Sequence, residues 1–188
     1  MPNKKTRALT KEECKEIIDT MKTGFTGCRP NNRVATALVL EANLGIRISD
    51  VLNLKLNDIV KDGDRYHLDI TEIKTGKKRV FTVPLDIYSY IQTYCINNGI
   101  KPDERIFPIT ERAVQKQLKI VCDWLGYTGV STHSFRKFFA TEIYKKNDFN
   151  IILVQQLLQH STPAVTQKYI GISSKEIETA LNKHICLM

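Results

Sequence analysis

The hydrophobic rhythm of this chain changes character once, and that change limits the fold more than any other feature. RYHLDITEI (65–73) and KRVFTVPL (78–85) alternate apolar and polar residues, with a basic, glycine-containing turn, KTGKK (74–78), between them. Alternation over two runs joined by a short turn is the signature of a β-hairpin, because strand side chains point to opposite faces in turn. Lys61-Asp62-Gly63-Asp64 just upstream is a turn signal and leaves room for a third strand. Elsewhere the apolar residues recur at helical spacing. The expected class is α+β, mainly α: one helical domain over residues 1–188 with a small antiparallel sheet or hairpin near the N-terminal third.

The helices announce their own ends. LTKEECKEIIDTM (9–21) puts Cys14, Ile17, Ile18 and Met21 on one face, and Thr10 with Glu13 forms a capping-box pattern. RVATALVLEANLG (33–45) is strongly apolar and closes on Gly45, as a buried helix with a C-terminal glycine does. A short helix begins near Ser49 or Asp50. After the hairpin, helical spacing runs through LDIYSYIQTYCINNG, TERAVQKQLKIVCDWLG, HSFRKFFATEIYKKN and FNIILVQQLLQH. A last helix is expected in SSKEIETALNKHI, capped by Ser173 and Glu176, with a narrow stripe of Ile177, Ala180, Leu181 and Ile185.

Composition enters only to narrow the chemistry. With 28 Lys and Arg against 20 Asp and Glu, the net charge is +8, which suits a polyanionic partner such as nucleic acid. A basic surface is often merely solvated, so charge alone does not decide. No apolar run reaches the roughly 18 residues of a membrane span, and no apolar segment follows the basic N-terminus. Cytoplasmic location is the expectation. The five cysteines are scattered and odd in number, and the four histidines lack ligand spacing, so neither disulfides nor a metal site is expected.

Four stretches place polar groups where packing alone would not. In GIRISD, Arg47 follows an apolar helix end and Asp50 lies three residues on. The plain reading is a surface pair contributing a few tenths of a kcal/mol. In EIKTGKK, Lys74 sits at a strand end, with Lys77, Lys78 and Arg79 as competing basic groups; a hairpin tip like this is solvated or clamps phosphate. In THSFRKFF, His133 and Arg136 share a helix face, and Phe138 and Phe139 can anchor it. In LQHSTPAVTQKYIGI, His160 and Tyr169 flank a proline and two threonines, and both could be packing residues.

Together, in this order and spacing, the four resemble the tyrosine recombinases, the phage-integrase family of site-specific DNA recombinases. That pattern is an Arg in GxR, a Lys on a β-hairpin, HxxR, LGH, and a Tyr nine residues beyond the last His. Here it reads Arg47, Lys74, His133 with Arg136, His160 and Tyr169. LGH becomes LQH, with Gln159 in the glycine position; HSFR replaces the commoner HxLR, and Lys137 follows Arg136 where His is frequent.

The resemblance implies the tyrosine-recombinase catalytic fold and DNA strand cleavage and rejoining through a 3′-phosphotyrosyl intermediate, without metal or cofactor. Arg47, Arg136, His133 and His160 would surround the phosphate, Tyr169 would attack, and Lys74 would protonate the leaving oxygen. His133 is the expected general base. Asp50 would orient His133 or Arg47, and Lys77, Lys78, Arg79 and Lys137 would touch DNA phosphates. Pro163, Thr166 and Gly171 would form the joint that positions the tyrosine.

Partners implied are double-stranded DNA, a tetramer on paired sites (a monomer in isolation) and accessory DNA-bending proteins. The source implied is bacterial, phage or mobile-element, acting on chromosomal DNA. The separate N-terminal core-binding domain usual in the family is expected to be absent, and residues 173–188 to dock in cis or in trans. Three rival readings remain open: DNA binding without catalysis, a type IB topoisomerase, and a helical interaction protein with a merely solvated basic surface.

Overall fold

The computed structural model describes residues 6–170, so the expected C-terminal helix and Gly171 lie outside the described residues. Helices begin where the sequence supplies caps. Thr10 and Glu13 form a reciprocal capping box on α1 (Lys11–Thr23), and Arg7 holds the Glu13 carboxylate through two bonds of 2.7 Å. Ile17, Ile18 and Met21 are buried, while Cys14 stays at the margin. Asn31 caps α2 (Asn32–Leu44), which ends on Gly45 in the left-handed region at φ 59°. A Cβ at Gly45 would stand 2.3 Å from a Phe139 ring carbon, so both the backbone conformation and the close approach demand glycine.

The short α3 (Ile48–Asn53) begins one step earlier than the sequence suggests, with Arg47 in the N-cap position and extended at ψ 151°. A 3₁₀ turn then leads into the sheet. Strands β1 (Ile59–Asp62), β2 (Arg65–Thr71) and β3 (Lys78–Val83) pair antiparallel in the order β1-β2-β3, with Ile59 opposite Leu68 and Leu68 opposite Phe81. The alternation works as expected: Ile59, Leu68 and Val83 are buried on one face. Helix α4 (Leu85–Asn97) follows Pro84 and stacks Tyr88 on Tyr66 of β2, with ring centroids 3.8 Å apart.

Helix α5 (Glu111–Leu125) is capped by Thr110 and closed by Gly126. Helix α6 (Thr132–Lys146) carries His133 and Arg136 in its first turns. Contacts divide the chain into two compact units, Met1–Phe139 and Ala140–Met188. The core of the first joins α1, α2, α5 and the start of α6 through Ile17, Leu38, Leu40, Leu44, Leu118, Val121 and Phe135, all at most 2% exposed. In the second, α7 (Ile151–Leu158), capped by Asn150, packs against α8 (Pro163–Ile170). The class is α+β and mainly helical, as the hydrophobic rhythm predicts.

Candidate active site

In the first unit, four of the expected residues meet near the C-terminal end of α2. Arg47 reaches this place because α3 starts there with its cap residue extended. Its Nη1 donates to Glu72 Oε2 at 2.6 Å, and its side chain is 18% exposed. Arg136 lies on α6, is 2% exposed, and donates from Nη1 to the Gly45 carbonyl oxygen at 2.6 Å. That carbonyl is one of the oxygens a helix leaves unpaired at its end, so it is a natural acceptor for a cation.

Lys74 and His133 are both exposed, one in the β2–β3 turn and the other at the start of α6. The His133 imidazole is pulled below its ordinary value by partial burial and then by the positive charges of Arg136, Lys74 and Arg47. His133 is therefore a neutral imidazole at neutral pH.

Glu72, absent from the expected site, binds this cluster together. It is 1% exposed at the end of β2. Its Oε2 accepts from Arg47 and, at 2.7 Å, from the Thr75 hydroxyl; its Oε1 accepts from Arg79 Nη1 at 3.0 Å. Burial raises its affinity for a proton, but the bonds from Thr75, Arg47 and Arg79 outweigh this and hold the carboxyl below the usual range. Glu41, beneath the same cluster, behaves oppositely. It is 0% exposed, and burial pushes its carboxyl well above the usual range despite the opposing charge of Arg136.

Three expectations need correction. Arg79 is not a surface phosphate contact: it is 2% exposed, paired with Glu72, and its Nη2 lies 3.5 Å from the Gly45 carbonyl oxygen. The register explains this, since Arg79 and Val80 alternate and Val80 takes the exposed face at 55%. Burial and then Arg136 lower the Arg79 guanidinium to about 10, against the support of Glu72. Asp50 bonds neither Arg47 nor His133; its Oδ1 accepts the backbone N–H of Ile73 at 2.9 Å and so pins the residue before Lys74. Lys137 donates to the Thr6 carbonyl oxygen at 2.7 Å, tethering the N-terminal segment to α6. Lys77 and Lys78 are exposed as expected, Lys78 beside Asp69 at 3.1 Å.

In the second unit, His160 and Tyr169 lie edge to face with ring centroids 5.1 Å apart. His160 Nδ1 is 3.0 Å from Oγ1 of Thr166, which is 0% exposed. The Thr166 hydroxyl also lies 3.5 Å from the Thr162 carbonyl oxygen, to which it can donate. Pro163 sits where a helix begins, while Gly171 of the expected joint lies outside the described residues. The proline is the first residue of α8, with Thr162 Oγ1 accepting the N–H of Val165 at 3.3 Å, and a proline at that position starts a helix. Gln159 closes α7 in the left-handed conformation, φ 54° and ψ 37°. That explains the family glycine: the position requires a backbone geometry that costs glycine little and costs glutamine about 1 kcal/mol.

Among the described residues no cluster of His, Cys, Asp or Glu could hold a metal ion, and no helix is long and apolar enough to cross a membrane. The residues missed from sequence are Glu72, Thr75 and Arg79 as the scaffold of Arg47. Glu72 stood within EIKTGKK, but an acidic strand-end residue carries no local sign of burial.

Comparison with known proteins agrees with this geometry. A sequence model of the phage integrase family matches residues 7–176. The probable integrase/recombinase YoeC of Bacillus subtilis is 29% identical over 157 residues, covering 80% of this chain and 83% of that protein. Tyrosine recombinase XerH of Campylobacter jejuni is 28% identical over 186 residues, 92% of this chain but 50% of its own length. The fold is similar to XerH bound to palindromic difH substrate in a post-cleavage complex, with a TM-score of 0.70, 21% identity and coverage of 94% of this chain and 52% of that one. It is also similar to the catalytic domain of bacteriophage HP1 integrase, with a TM-score of 0.66, 17% identity and 96% of both chains. This chain thus spans about half the length of XerH. With six motif residues in order, four of them gathered in one unit, and a family match over nearly all its length, the chain belongs to the phage integrase family, the tyrosine recombinases.

Proposed function

We propose that this chain is the catalytic domain of a site-specific DNA recombinase that cleaves and rejoins strands through a 3′-phosphotyrosyl intermediate. The observation that carries the reading is the gathering of Arg47, Lys74, His133 and Arg136 in one unit, with Glu72 binding Arg47 and Arg79 between them. Such a site retains excess positive charge, which a phosphodiester needs before an oxyanion can attack it. Guanidinium forks match phosphate oxygens and do not lose their protons.

In this reading Tyr169 Oη attacks phosphorus while its proton passes to neutral His133. The bond to the 5′ oxygen breaks, and that oxygen takes a proton from Lys74. A tyrosine hydroxyl ordinarily titrates near 10, so nearby cations must lower the cost of its ionisation. Arg47, Arg136 and His160 stabilise the charge on the non-bridging oxygens. The phosphotyrosyl bond conserves the phosphodiester, and a second 5′ hydroxyl reverses the steps to rejoin, so no cofactor is required.

Double-stranded DNA is the substrate, as it is for XerH on difH and for lambda integrase on a core site. Four copies assemble on paired sites, in the cytoplasm, with residues 173–188 docking in cis or in trans. Accessory DNA-bending proteins are compatible with this assembly. Lys77 and Lys78 touch phosphates beside the hairpin.

The test is a nicked suicide substrate that traps the covalent adduct. Wild type accumulates a DNA–protein band and Tyr169→Phe accumulates none. Intact DNA binding by wild type with no adduct would overturn the catalytic reading. Relaxation of supercoiled plasmid without any preferred site would instead favour a topoisomerase.

A further inference from the structure

The Glu72 carboxylate is the hub on which the positive half of the site is mounted. Oε2 receives Arg47 at 2.6 Å and the hydroxyl of Thr75, the neighbour of Lys74, at 2.7 Å. Oε1 receives Arg79, which also approaches the Gly45 carbonyl oxygen that Arg136 holds. The buried carboxylate and the helix-end carbonyl therefore tie the three guanidiniums to the Lys74 turn. Two backbone bonds brace that turn, Glu72 N–H to Lys77 O at 3.0 Å and Gly76 N–H to Glu72 O at 2.8 Å.

We infer that Glu72 is a positioning residue for strand cleavage: it locks Arg47 and the Lys74 turn to one another, with Arg79 as its buried anchor. The inference rests on the recombinase reading. Glu72 does not touch the reacting phosphate. Among the described residues only Nη1 of Arg47 is engaged, which leaves Nε and Nη2 to meet phosphate oxygens in a direction that Glu72 fixes. A long arginine side chain without this bond samples many rotamers, and small misplacement of a charge-stabilising group is expensive in rate.

Affinity and rate should then separate. Glu72→Gln removes one negative charge from a cation cluster, so ground-state attraction for DNA is retained or increased. Its amide offers one oxygen where three donors converge, so alignment is lost. Single-turnover cleavage should fall by about 10- to 100-fold while the DNA dissociation constant changes by less than about threefold or tightens. A variant that merely unfolds would lose both.

Thr75→Val, at an exposed position, removes the Glu72 link to the Lys74 turn together with a long 3.4 Å bond from the Lys77 N–H, and cleavage should fall by about 3- to 10-fold. A substrate whose leaving oxygen is replaced by sulfur needs no proton from Lys74, so it should restore the Thr75→Val rate and restore Glu72→Gln only in part. Should Glu72→Gln fail to fold, Glu72→Asp and Thr75→Val decide. Folded variants that all cleave within about twofold of wild type overturn the inference, as does a Thr75→Val defect that persists unchanged on the sulfur substrate.

If wild type forms no adduct, the recombinase reading fails instead, and positioning is judged from Arg47 guanidinium NMR. Hindered rotation about Nε–Cζ in wild type and averaged signals in Glu72→Gln support it. Averaged signals in both overturn it.

Discussion

The two clusters of motif residues, one in each compact unit of the chain, are held by different physics. Around Arg47, Arg79 and Arg136, charge is buried and answered by one carboxylate and one helix-end carbonyl, joined across α2, α3, the β2–β3 hairpin and α6. Around His160 and Tyr169 there is a hydroxyl–imidazole contact, an edge-to-face ring pair and two eight-residue helices. Buried guanidiniums need matched acceptors, or they would repel one another and forfeit hydration. A tyrosine nucleophile carries no charge until it reacts, so a local hydroxyl–imidazole contact is enough to seat its neighbour. The first half has to be assembled from distant segments, whereas the second is built within a dozen residues.

Predictions that break or sharpen this contrast run from large effects to small. Gly45→Ala should strike the charged half hardest. It forces a side chain into left-handed backbone and into the Phe139 ring, and it disturbs the carbonyl that holds Arg136. A loss of about 2–4 kcal/mol is expected in denaturant unfolding. An unchanged midpoint would show that the end of α2 is not the rigid mount described.

In the neutral half, Thr166→Val deletes the partner of His160 at a buried position. It should cost about 1–2 kcal/mol of stability. It should also lower adduct formation by about tenfold. A wild-type rate would mean that His160 orients itself without Thr166.

The pH response belongs to the charged half. The native His133 value lies below 6.5, through partial burial and then Arg136, Lys74 and Arg47, with Glu111 opposing them. Between that lowered value and about 6.5 the unfolded chain binds more protons than the native one, so this group's contribution to stability is present above 6.5 and is lost as pH falls through the window. The acid limb of the cleavage rate should likewise lie below 6.5 if, as proposed, the neutral imidazole is the base. A limb centred above 6.5 in single-turnover cleavage would remove His133 from that role.

The smallest effect is a gain. Gln159→Gly relieves left-handed strain at the end of α7 and should stabilise by about 0.5–1 kcal/mol, read as a raised thermal midpoint. A loss would show that the Gln159 side chain contributes more than its backbone costs.

How far each half could be read in advance follows from the same contrast. The capping box at Thr10 and Glu13, the hairpin over 65–83, and the glycines closing α2 and α5 depend on neighbours within a few residues, and each is found where the pattern places it. His160, in the turn between two short helices, and Tyr169, on the second of them, meet edge to face within ten residues of sequence. Pro163 starts α8, a role its fixed φ suits.

The charged half was legible as a set of residue types in order, but not as a set of partners. Three-residue spacing makes Asp50 look like the companion of Arg47. Yet Arg47 is an extended cap residue, so the two do not share a helix face. Its carboxylate comes from Glu72 instead.

By itself the sequence determined the elements, their caps, the mixed α+β class and the six groups whose order marks the family. Only the tertiary structure decided that Arg79 turns inward rather than toward solvent, that Glu72 rather than Asp50 holds Arg47, and that Asp50 secures the backbone before Lys74. Local backbone preference is written in neighbouring residues. The choice of a buried counter-charge depends on which segments the core brings within about 3 Å, and no local pattern records that distance.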